Sequence, residues 1–94
     1  MQQKNKSANE NYIHSLANII KSHRKNTKKS MYLISAESSI GKTSWREIEQ
    51  GMRKDINLST FCKIAEGLEM QPHELLKELS DSLGKDFNFT DINI

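Results

Sequence analysis

The stretch from Ser30 to Gly51, S-M-Y-L-I-S-A-E-S-S-I-G-K-T-S-W-R-E-I-E-Q-G, limits what this chain can become more than any other. It reads as two short helices joined by a tight turn. The first starts at Ser30, whose hydroxyl can accept from the free N–H groups of a helix N-terminus. The turn falls around Ser38–Gly41, and a second helix runs from about Lys42 to Gln50, where Gly51 stops it. On this reading Ile34, Ser38, Ile40, Trp45 and Ile48 face inward. Lys42, Thr43, Ser44, Arg46 and Glu47 face outward.

The remaining segments are helical as well. Ser7-Ala8-Asn9-Glu10 has capping-box spacing. Behind it Ile13, Leu16, Ala17 and Ile20 recur with helical period, which predicts a helix to about Lys25. Asn26–Lys29 is a polar link, and Gly51–Asp55 a loop carrying Arg53 and Lys54. Asn57 caps a further helix whose apolar positions are Leu58, Phe61, Cys62, Ala65 and Leu68, with Ile56 and Phe61 placed as a hydrophobic staple. Pro72 opens a fifth helix at the position where its missing N–H costs nothing. Leu75, Leu76, Leu79 and Leu83 line that helix, and Gly84 ends it. The expectation is an all-α fold with five helices around one core: a disordered tail over residues 1–6, a domain over 7–84, and a C-terminal tail over 85–94. Phe87, Phe89, Ile92 and Ile94 make that tail too apolar to be left in water, so it either folds back on the domain or packs against a second subunit.

Ninety-four residues suffice for one small domain. No run of about eighteen apolar residues occurs, and the N-terminus lacks a signal peptide's apolar core, so a cytoplasmic location without a membrane span is expected. Cys62 is alone, which excludes an internal disulfide framework, and its place in an apolar stripe leads us to expect a core residue and not a nucleophile. His14, His23 and His73 stand at no ligand spacing, so no metal and no cofactor is expected. The net charge of +2 conceals two opposed halves. Residues 1–54 hold eleven Lys/Arg against four Asp/Glu, a net +7, whereas residues 55–94 hold three against eight, a net −5. A basic half suits a polyanionic partner.

Lys42 and Arg46 lie four apart on one helical face, with Thr43 and Glu47 alongside. In a major groove Lys or Arg can pair with guanine O6 and N7, and Glu can accept from cytosine N4. Lys28 and Lys29 flank this surface on one side, Arg53 and Lys54 on the other.

The stretch resembles the helix-turn-helix of the phage repressor and Cro family, also called XRE. Ser30, Ile34, Ile40, Ile48, Glu49 and Gly51 fall on matching positions, and I-E-x-G is the most specific piece. The resemblance covers roughly Leu16 to Leu79. It departs from the pattern at Ser35 (usually Ala), Ser39 (the turn Gly), Gly41 (the capping Ser) and Met31 (Gln). It implies that Lys42, Thr43 and Glu47 contact bases, with Ser44 beside them; Arg46 is added on helix geometry. Tyr32, with the N–H groups opening the second helix, and Arg53 and Lys54 would frame the helix as phosphate contacts. Met31 lacks the amide that the family's Gln uses. The resemblance also pairs Arg24 with Glu49 as an architectural ion pair and places Trp45 in the core.

The leading expectation is therefore a sequence-specific regulator of double-stranded DNA, acting as a homodimer on two half-sites. Leu76, Leu79 and Leu83 with Phe87 and Phe89 would form the dimer contact, the same patch meeting itself. The alternative is an antitoxin-like module that binds a protein partner through its acidic, apolar C-terminal half. No Ser/His/Asp, Cys/His or paired-carboxylate arrangement supports an enzyme.

Overall fold

A computed structural model of the chain describes residues 7–93; the expected disorder of residues 1–6 and the tail residue Ile94 lie outside them. Five α-helices follow in order: α1 (Ala8–Thr27), α2 (Met31–Ser38), α3 (Lys42–Glu49), α4 (Leu58–Gly67) and α5 (Pro72–Leu83). A single 3-10 turn over Phe89–Asp91 comes after them, and no strand occurs among the described residues. No helix is long and apolar enough to cross a membrane.

Local chemistry fixes the helix starts. The Glu10 N–H donates to Ser7 Oγ at 3.2 Å while the Ser7 N–H donates to Glu10 Oε1 at 3.0 Å, a complete capping box. Ser30 Oγ accepts from the Leu33 N–H at 3.1 Å, and Asn57 Oδ1 from the Thr60 N–H at 2.9 Å. At α5 the Gln71 N–H donates to Glu74 Oε1 at 2.8 Å beside Pro72. The ends are fixed by left-handed backbone. Lys28 (φ +62°) closes α1 two residues beyond the expected end, and Ser39 (φ +59°) closes α2.

The core gathers Ile13, Leu16, Ile20, Ile34, Trp45, Ile48, Ile64, Leu75 and Leu79 from all five helices. α1 packs on α3 and α5, and α2 on α3 and α4. The α2–α4 crossing is close enough that a Cβ on Gly67 would lie 2.7 Å from Ser38 Cβ, so the glycine is required for space. Gly51 is required twice over. Its φ is +69°, and a Cβ there would come within 2.8 Å of His14 Cδ2. Ser35, standing where the compared pattern has Ala, is buried, and its Oγ has no hydrogen-bond partner.

Residues 85–93 fold back on the domain. Phe89 meets Tyr12 edge-on with ring centroids 6.2 Å apart, and Phe87 meets Phe89 at 5.0 Å. Asn9 clasps the end: its Nδ2 donates to the Asn93 carbonyl at 3.0 Å, and the Asn93 N–H returns a bond to Asn9 Oδ1 at 3.0 Å. The same Nδ2 reaches the Lys54 carbonyl at 3.2 Å.

Two apolar assignments are corrected. Leu79, expected on a dimer surface, is only 2% exposed and belongs to the core with Leu75 one turn earlier. Leu58, expected in the core stripe of α4, is 78% exposed, because it is the first residue of its helix; Ile64 is the buried α4 residue that the stripe omitted.

Candidate functional site

α3 is an anchored helix with one free face. Trp45, Ile48 and Glu49 are buried, while Lys42, Thr43 and Arg46 are exposed and Ser44 and Glu47 half-buried. This division follows from eight residues at 100° per residue with the apolar ones three apart. Its N-terminus begins at Gly41, which provides no side-chain cap.

A carboxylate fixes how α3 sits. Glu49 is 4% exposed and accepts from Arg24 Nη2 at 3.0 Å, from Arg24 Nε, and from Trp45 Nε1 at 2.5 Å. Hydrogen bonding to Glu49 holds the Arg24 guanidinium above its ordinary pKa, outweighing the opposing effect of burial. A buried charge without such partners would be costly, so the three donors make Glu49 a fixed joint between α1 and α3. The role of the pair is architectural, since the Glu49 carboxylate is buried and its donors come from within the fold.

The cations expected to frame α3 differ from one another. Lys28 and Lys54 are exposed. Arg53 is half-buried; its Nε donates to Glu47 Oε1 at 3.2 Å, and its Nη2 lies within ion-pair distance of the same oxygen, also 3.2 Å. Tyr32 is 74% exposed on α2, next to Leu33 at 44%. Lys29 requires a correction, because it is not a free cation beside this surface. Its ammonium sits between Glu37 Oε1 at 2.5 Å and Glu69 Oε2 at 2.7 Å. Those two carboxylates, Glu37 first, raise its pKa, and Lys29 in turn lowers that of Glu69. Lys29 thus ties the α1–α2 link to the end of α2 and to the turn after α4.

A second feature is apolar. Tyr12, Asp55, Ile56, Leu58, Phe61, Leu76, Leu79, Phe89 and Ile92 line an open cleft of about 330 Å³. Leu58, Leu76 (51%) and Phe89 (49%) are its exposed apolar members. Leu83 and Phe87 are instead half-buried against the core. Sequence reasoning missed Leu58 here. Its place immediately after the Asn57 cap, where a side chain has no preceding turn to lie on, was the available signal. Among the described residues no three of His, Cys, Asp and Glu converge as metal ligands. No family model, curated protein or solved structure matches the chain.

Proposed function

We propose that the chain is a sequence-specific DNA-binding regulator of the repressor- and Cro-like kind, with α2 and α3 as its helix-turn-helix and α3 as the reading helix. One observation carries this: α3 exposes Lys42, Thr43 and Arg46 together on one face, while Trp45, Ile48 and the Arg24–Glu49 joint bury the other. A helix that enters the major groove needs such a division, polar and long on one side and rigidly seated on the other. Lys42 and Arg46 are the guanine-pairing candidates, Thr43 and Ser44 contact a base edge or phosphate, and Glu47 accepts from cytosine. Lys28, Lys54, Arg53 and Tyr32 supply phosphate contacts, which set register and affinity without reading sequence.

One such helix covers few base pairs, so the working unit is a homodimer on two half-sites about 34 Å apart. Its contact uses Leu76 and Phe89 together with Leu58; Leu79, 2% exposed, lies beneath them in the cleft lining as a core residue, and Leu83 and Phe87 are half-buried against the core. The same cleft favours a second reading, an antitoxin-like module whose apolar cleft receives a protein partner.

Selection of bound duplexes from random DNA at a stated salt concentration tests the first reading. A reproducible motif is expected, and Lys42→Ala and Arg46→Ala should each relax preference at particular base pairs by about 1–3 kcal/mol. Enrichment of no motif would overturn it in favour of the protein-binding module.

A further inference from the structure

Glu47 and Arg53 meet across the bend that follows α3. Arg53 Nε donates to Glu47 Oε1, and Arg53 Nη2 stands 3.2 Å from that same oxygen as an ion pair. The backbone braces the same joint: the Met52 N–H donates to the Glu47 carbonyl at 3.0 Å, and the intervening Gly51 is packed against His14. Each side chain remains 39% exposed. Among the described residues, Glu47 Oε2 and Arg53 Nη1 have no partner. The pair therefore carries one spare acceptor and one spare donor beside the exposed face of α3.

A carboxylate near a polyanion is repelled by every phosphate, so an unpaired Glu47 would oppose binding to any duplex. Arg53 cancels that charge. It also removes the torsional freedom of a long side chain, which otherwise has to be lost when a base is contacted. Because a carboxylate only accepts, it suits a base edge that offers a donor without an adjoining acceptor. In the major groove cytosine N4 meets that condition, adenine N6 lies beside the acceptor N7, and guanine and thymine present oxygen.

We propose that Arg53 is a positioning residue for Glu47, and that the two act as one unit reading a C·G pair. Glu47 Oε2 accepts from cytosine N4 while Arg53 Nη1 donates to a neighbouring phosphate. This rests on the DNA-binding reading above and deepens it. Arg53 thereby acts on sequence preference through Glu47 without touching a base.

The test measures binding of the whole chain and of Glu47→Ala, Arg53→Ala, Arg53→Lys and the Glu47→Ala/Arg53→Ala double variant. Each is titrated against the selected duplex and its single-base-pair variants at several salt concentrations, with a thermal melt to establish folding. Arg53→Lys keeps the charge and serves if Arg53→Ala does not fold. Glu47→Ala should lower preference for one C·G pair by about tenfold. Arg53→Ala and Arg53→Lys should lower preference at that same pair, and the double variant should lose no more of it than Glu47→Ala alone. Two results overturn the unit. In one, Arg53→Ala weakens all duplexes equally with the C·G preference intact, as an independent phosphate contact would. In the other, neither variant alters preference anywhere. A wild-type chain that enriches no motif would be a different failure, removing the DNA-binding reading and this inference together.

Discussion

Glu49→Gln is the sharpest perturbation of the fold, because it removes a charge with almost no change in volume. The native carboxylate receives three donors, two from Arg24 and one from Trp45. The amide can accept only through its single oxygen, and its NH2 would face another donor. At least one N–H is left without a partner, and the Arg24 charge loses its counterion. Breaking a fully buried pair costs about 3–5 kcal/mol. The Arg24 side chain, however, is 17% exposed. Water can reach its edge, which brings the expected loss to about 3 kcal/mol. Small domains have on the order of 5–15 kcal/mol in total. At roughly 4–8 °C per kcal/mol for a chain of this length, the melting temperature should fall by about 10–25 °C.

A companion variant checks the reasoning. Replacing both members, Arg24→Met with Glu49→Met, removes the two charges together and leaves only Trp45 Nε1 without an acceptor. That should cost about 1–3 kcal/mol, less than the single substitution. Urea and thermal unfolding followed by circular dichroism measure both. A Glu49→Gln melting temperature within a few degrees of the parent would refute the argument. So would a double variant less stable than the single one, since the cost would then arise from packing and not from the stranded charge.

Two further outcomes follow from buried polar groups. Ser35→Ala should stabilise the chain by about 1 kcal/mol, because the Ser35 hydroxyl is buried without a partner and alanine suits a helix better; a lower urea midpoint would contradict this. Burial, with Asp55 beside it, raises the Tyr12 phenol from 10.0 to about 12. A folded-state pKa above the unfolded one means that this contribution is complete below pH 10 and is lost as pH rises from 10 to about 12. Stability should therefore drop more steeply across that window in the parent than in Tyr12→Phe, and parallel curves would show that the phenol is not the group responsible.

What the sequence made legible was punctuation. Ser7, Ser30, Asn57, Pro72 and Gly84 each act within a few residues of themselves, so helix boundaries were readable with no knowledge of the fold. Periodicity also identified Ile34, Ile40, Trp45 and Ile48 as buried. It failed at α5, where Leu75 and Leu76 compete for the core. Leu75 takes it, and that commits Leu79, four residues on, to the same buried face and leaves Leu76 outside. Pairings across long separations left no local trace. Lys29 finds Glu69 from the far side of α4, and Asn9 finds Asn93 from 84 positions away. Arg53 and Glu47 are six apart around a bend, a spacing that no helical template scores.

The Asn9 clasp has a consequence for how this chain can be handled as a building block. Because its amide holds Asn93 by two hydrogen bonds, the path enters beside the point at which it leaves. A folded segment whose ends adjoin can be spliced into an exposed loop of a host protein while barely prying that loop apart, since the cost of loop closure grows with the gap to be spanned. Grafting residues 7–93 into such a loop is therefore expected to leave their fold intact, which a thermal melt of the chimera would check. The third bond of the same amide, to the Lys54 carbonyl, would sense any strain at the graft, so distortion at the junction would be transmitted first to the loop carrying Arg53 and Lys54.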